Sequence, residues 1–150
     1  MNHLYWQEMA ERVGQKSPCQ RARVGAVIHR DGLVLVTGYN RNLGGSCECE
    51  RGLTKSDTLH AEQDAVLYAR HAHIDLSGDT VHVTRQPCLA CAVLLVAARV
   101  SAVWYRDPSS CSDGLRRLID AGVRVARFKT QRQVDEDFFR AYGRAEPTVR

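Results

Sequence analysis

Residues 80–105 read TVHVTRQPCLACAVLLVAARVSAVWY. The stretch opens on β-branched residues at Thr80–Thr84. It passes through an apolar segment of helical length at Cys88–Arg99, then returns to β-branched and aromatic residues at Val100–Tyr105. Strand, helix, strand at this spacing predicts a crossover, which sets the two strands parallel with the helix against the sheet. The helix carries almost no polar residue before its last position, so it is expected to be buried.

Outward from this unit the pattern alternates. Upstream, RVGAVIH at 23–29 predicts a strand, and Asp31-Gly32 is a two-residue hairpin signal that returns the chain along Leu33–Gly38. Leu4, Met9 and Val13 recur at helical spacing, predicting a helix over 3–15. Ala61, Ala65, Val66 and Ala69 share one side of a helix over 60–73. Downstream, a helix over 114–121 is stopped by Gly122, Val123–Phe128 is a last strand, and 133–142 is a closing helix before a frayed end at 145–150. A hairpin followed by crossovers predicts an α/β fold, a three-layer α/β/α sandwich around a mixed five-stranded sheet, with 1–150 as a single domain.

Composition agrees with a globular chain: 150 residues, 44% hydrophobic and 25% charged. The formal charge of +4 suits a small anionic substrate and is too slight to argue for nucleic acid. The first residues, MNHLYWQEMAERVG, form no apolar leader, and no apolar run reaches membrane-spanning length. A cytoplasmic protein with reduced thiols is therefore expected. In that setting the six cysteines (Cys19, Cys47, Cys49, Cys88, Cys91 and Cys111) point to metal chemistry before disulfides.

Two fragments carry that chemistry, His60-Ala61-Glu62 and Pro87-Cys88-Leu89-Ala90-Cys91, each where a loop or strand gives way to a helix. A helix start offers free N–H groups and partial positive charge, which favour thiolate. Cys88 and Cys91 lie on one helical turn, so both sulfurs reach one ion. His60, Cys88 and Cys91 give zinc three protein ligands and leave a fourth position for water. Glu62 is free of ligand duty and can move protons during hydrolysis. Alone, H-x-E is noise and C-x-x-C is a redox pair or half a structural site. Together, in this order, H-x-E and P-C-x-x-C are the signature of zinc deaminases.

These residues resemble the cytidine and deoxycytidylate deaminase superfamily over about Cys19–Phe128. Within it the deoxycytidylate (dCMP) branch is the most similar. The resemblance is carried by Cys19–Ile28 (CQRARVGAVI), Thr37-Gly38-Tyr39-Asn40, HAEQDAV from His60, and Thr84–Cys91. It implies deamination of dCMP to dUMP and ammonia, dUMP being the precursor for thymidylate synthesis. It also implies a homo-oligomer, commonly a hexamer, and dCTP and dTTP as effectors, with Mg2+ accompanying an effector nucleotide. By the same resemblance Asn40 bonds the sugar, backbone at Ala61 and Cys88 meets the base edge, and Ala26 lies against the ring. Arg21, Arg23 and Arg106, with Tyr105 beside the last, are the candidates for phosphate. Cys19, Cys47 and Cys49 are candidate ligands of a second zinc, with Glu50 as a possible fourth.

A tRNA adenosine deaminase shares fold and motif and stands as the alternative, as do a deaminase of another cytosine nucleotide and a non-catalytic nucleotide sensor. The connection from Asn40 to His60 discriminates. Its GGSCECE segment at 44–50 resembles the insertion of dCMP deaminases, whereas tRNA enzymes have a shorter link without cysteines. Arg41 departs from the family, which often has glycine after that asparagine.

Overall fold

The computed structural model describes residues 2–43 and 57–143. Its elements in chain order are α1 (His3–Gly14), β1 (Gly25–Arg30), β2 (Leu33–Tyr39), β3 (Arg41–Asn42), β4 (Thr58–Leu59) and α2 (Ala61–His71). Then follow β5 (Thr80–Arg85), α3 (Leu89–Ala97), β6 (Ala102–Asp107), α4 (Asp113–Asp120), β7 (Arg124–Arg127) and α5 (Gln131–Tyr142).

Asp31 and Gly32 turn the chain with φ of 49° and 82°. That left-handed pair matches the twist of the strands it joins, and β1 and β2 run antiparallel from Gly25↔Tyr39 to Arg30↔Leu33. The five-stranded sheet has the order β2-β1-β5-β6-β7. β1 pairs antiparallel with β5, while β5–β6 and β6–β7 are parallel, so the sheet is mixed as the crossover pattern predicts. Alternation along the strands divides the side chains between two faces. Ala26 and Ile28, Val81 and Val83, Val103 and Tyr105 face one way, and pack with Ala61, Ala65 and Ala69 of α2, Ala92 and Leu95 of α3 and Leu118 of α4. On the other face Val27 lies under Trp6, Ala10 and Val13 of α1. Helices on both faces of one sheet make three layers. No helix of the described residues is long and apolar enough to cross a membrane.

Three features differ from the sequence expectation. The α3 helix is not wholly buried: Cys91, Ala92 and Leu95 are covered, but Leu89 and Val93 are about half exposed. A helix in an outer layer has one face on the sheet, whatever its composition. The connection from Asn40 to His60, for which no strand was expected, carries two short ones at its ends: β3 and β4 pair through Arg41↔Leu59 and Asn42↔Thr58. Arg41 is held further by an ion pair to Asp64 of α2 at 2.9 Å. The last helix starts two residues earlier than expected, because Thr130 and Gln133 form a reciprocal capping box.

The α1 face also holds three histidines in series. His29 Nε2 lies 3.1 Å from His82 Nδ1, and His82 Nε2 lies 3.2 Å from His3 Nδ1. Trp6 stacks on His29 at 3.9 Å and Trp104 on His3 at 3.7 Å. His29 and His82 are almost wholly buried. Burial, then repulsion from neighbouring imidazoles, pushes their pKa values down to about 4 and about 3, while Asp79 opposes this at His29.

Because the folded values lie below the unfolded value of about 6.5, the unfolded chain takes up protons first as pH falls. The stability from these two neutral imidazoles is present above pH ~6.5 and drains as pH falls through the folded values. From pH 6.5 to pH 5 the expected loss is roughly 3 kcal/mol, from two groups each losing up to about 1.4 kcal/mol per pH unit. Denaturant titrations across that range measure it. In His29→Phe, which keeps a ring on Trp6, the slope should fall by about half.

Candidate metal centre

Two helix starts face each other on the α2–α3 side of the sheet. His60 is the N-cap of α2 and Cys88 the N-cap of α3, both with extended backbone. Their carbonyls accept the first helical bonds, from Asp64 N at 2.9 Å and Ala92 N at 2.9 Å. Gln63 fixes the His60 backbone, its Oε1 accepting from His60 N at 2.8 Å. Cys91 follows one turn into α3. The His60 Nδ1 then lies 3.5 Å from Cys88 Sγ and 3.4 Å from Cys91 Sγ. One atom from each residue falls within 4.8 Å of the other two, a grouping that can hold a metal ion. One imidazole and two thiols at helix N-termini are a donor set suited to zinc, and neither thiol is tied up in a disulfide.

The two starts are brought together by backbone contact. Gly38 of β2 lies against the first turn of α2, where a Cβ would collide with the Ala61 carbonyl oxygen and the Ala65 amide. Gly114 of α4 lies against the other corner, where a Cβ would collide with the Pro87 carbonyl oxygen. Each fragment is thus backed by a glycine that lets main chain touch main chain.

Charge at the centre is shared unequally. Hydrogen bonds from Cys91 and His60 hold the Cys88 thiol down to about 3. The Cys91 thiol is pushed up by its bond to Cys88 and by burial. Glu62, 4% exposed, is pushed up to about 6 by burial. It sits in the first turn of α2, outside the group of three donors.

A cavity of about 260 Å³ opens onto this centre, at the small end for ligand sites. A larger groove of about 630 Å³ lies at the far ends of α2 and α3 and gathers none of these groups. The smaller cavity is lined by His60, Glu62 and Cys88, and also by Ala61, Asn40, Arg21 and Cys19. The Asn40 side chain is engaged with backbone: Oδ1 accepts from Val24 N at 2.8 Å and Nδ2 donates to Ala22 O at 2.7 Å. Ala26 is fully buried in the core and absent from the lining, and Tyr105 is packed in the same core. Arg23 is exposed and off the lining. Arg106 is also off it, paired with Glu11 at 2.6 Å and Asp107 at 2.8 Å. Cys47 and Cys49 lie outside the described residues, so the expected grouping with Cys19 does too.

Sequence reasoning passed over Arg85, Gln86 and Ser109, which line the same cavity. The signal for two of them was their place in the Thr84–Cys91 segment. Gln86 is buried and clamps the following loop, donating to Cys111 O at 2.7 Å and accepting from Ser109 N at 3.2 Å.

Comparison with known proteins follows the same lines. The family model for the cytidine and deoxycytidylate deaminase zinc-binding region matches residues 1–106. The deoxycytidylate deaminase of Mycobacterium phage D29 is 35% identical over 122 residues, covering 70% of this chain and 94% of that protein. The deoxycytidylate deaminase of Saccharomyces cerevisiae is 32% identical over 137 residues, covering 83% of this chain and 44% of the yeast protein. The dCMP deaminase of cyanophage S-TIM5, solved in complex with dCMP and dUMP, superposes with a TM-score of 0.79 at 31% identity, over 84% of this chain and 96% of that one.

If the glycines set the separation of the two helix starts, Gly38→Ala should destabilise the protein by about 3 kcal/mol. It should also weaken zinc binding by roughly 10-fold or more, as displaced supports do. Denaturation and chelator competition read the two effects separately.

Proposed function

Because the chain belongs to the cytidine and deoxycytidylate deaminase family, we propose that it hydrolyses dCMP to dUMP and ammonia, and that residues 1–150 act as one zinc-dependent domain. The observation that carries the mechanism is the convergence of one imidazole and two thiols within 4.8 Å beside a buried carboxylate that is not among them. His60, Cys88 and Cys91 hold the ion. When bound, zinc supplies Lewis acidity, which makes water a nucleophile at neutral pH. Glu62 accepts one proton from the attacking water and gives it to the ring nitrogen, then carries the second, from the newly added hydroxyl, to the amino group, which departs as ammonia as the C–N bond breaks and the carbonyl forms. A carboxyl pushed up to about 6 exchanges protons readily near neutral pH.

Ala61 and Arg21 meet the substrate directly in this reading. The clamped Asn40 shapes the wall through the 22–24 backbone and keeps one amide hydrogen for the sugar. Arg23 and Ala26 support the wall from outside the cavity. The half-exposed Leu67 and Leu89 and the exposed Tyr68 on α2 and α3 support a homo-oligomer, a hexamer by family resemblance. A second zinc at Cys19, Cys47 and Cys49, and control by dCTP or dTTP with Mg2+, rest on the same resemblance, as does action on the pyrimidine nucleotide pool.

Zinc-loaded protein should release ammonia from dCMP with loss of cytosine absorbance. A panel adding 5-substituted dCMP, dCTP and an adenosine-bearing tRNA decides the substrate, and turnover of tRNA alone defeats the assignment. Glu62→Gln should retain stoichiometric zinc by metal analysis and lose 10²- to 10⁴-fold in kcat, roughly the range for a lost general acid–base group.

A further inference from the structure

We propose that Arg85, at the C-terminal end of β5, is the side chain that grips the phosphate of the nucleotide, and so sets the preference for a monophosphate over a nucleoside. The inference rests on the deaminase reading above and adds a specificity residue to it.

Strand alternation supplies the direction. Val83 packs on the α2–α3 face, while Thr84 turns the other way, its Oγ1 accepting from Gly25 N at 3.2 Å. Arg85 returns to the face that carries the metal centre, three residues before Cys88, and lines the cavity. This is also the carboxyl end of two parallel strands, β5 and β6, where open α/β sheets bind ligands. Arg85 is exposed, and no hydrogen bond or ion pair joins it to another residue among those described.

Charge balance points the same way. The charged side chains of the described lining are Arg21, Arg85 and Glu62, with the His60 and Cys88 donors. Glu62 is buried on the floor, which leaves no exposed carboxylate there to neutralise Arg85. By contrast Arg106, the candidate named from sequence, is committed to two carboxylates outside the cavity. Next to Arg85 in the chain, Gln86 holds the Ser109 loop through two hydrogen bonds, and Ser109 lines the same cavity. A guanidinium fork pairs bidentately with phosphate.

The test uses full-length, zinc-loaded protein and compares dCMP with deoxycytidine. Arg85→Leu should lower the ratio of kcat/KM for dCMP over deoxycytidine by roughly 10- to 100-fold, mainly through KM, the size of a lost charge-assisted contact. Arg85→Lys should recover part of the loss. Calorimetry on the Glu62→Gln protein gives a readout without turnover: adding Arg85→Leu should weaken dCMP binding by the same factor, at unchanged zinc content. If Arg85→Leu keeps the wild-type preference while Arg106→Leu loses it, the assignment to Arg85 is overturned and the monophosphate reading survives. If the wild-type protein does not favour dCMP over deoxycytidine in turnover or binding, the monophosphate reading falls, and Arg85's role with it.

Discussion

Main chain touches main chain at two places behind the metal centre. At Gly38 the second strand of the hairpin rests directly on the first turn of α2, and at Gly114 the first turn of α4 rests on the Pro87–Cys88 corner. A side chain at either point would stand the helix off by the width of a methyl group or more. Everything at the centre depends on that spacing, because His60 and Cys88 are N-caps whose backbones are already fixed by the first helical bonds. Rigid elements, not flexible side chains, bring the three donors together.

That dependence explains what the sequence made legible. His60-Ala61-Glu62 and Pro87–Cys91 are local patterns, and the helix starts they mark are local events, so both are readable from a few adjacent residues. The hairpin turn is readable for the same reason: Asp31-Gly32 is one of few dipeptides that accept two positive φ values. The crossover at 80–105 then fixes parallel pairing of β5 with β6.

The parts that were not legible depend on residues far apart in the chain. His3 and His82 are 79 positions apart and His29 and His82 are 53 apart, and no motif links them. Arg106 looks like a phosphate ligand in sequence, and only the fold shows Glu11 beside it. Arg85 was hidden by the motif around it, since the cysteines drew attention three residues further on. The apolar composition of α3 argued for burial on all sides, but composition does not say how many faces a neighbour covers. The Thr130–Gln133 box was readable in principle. It was missed because the apolar pattern of α5 begins later than its cap.

His60 precedes Cys88 by 28 positions and Cys91 by 31. An ion held by all three is therefore a cross-link in the polymer sense, closing a loop that contains α2, β5 and the turn into α3. Tying two points at that separation removes chain entropy from the unfolded state worth roughly 3–4 kcal/mol. In a domain that unfolds as one unit, that gain belongs to the whole folded state. α1 lies outside that loop in sequence, but its His3 meets His82 of β5 inside it, so the tie reaches the opposite face of the sheet as well.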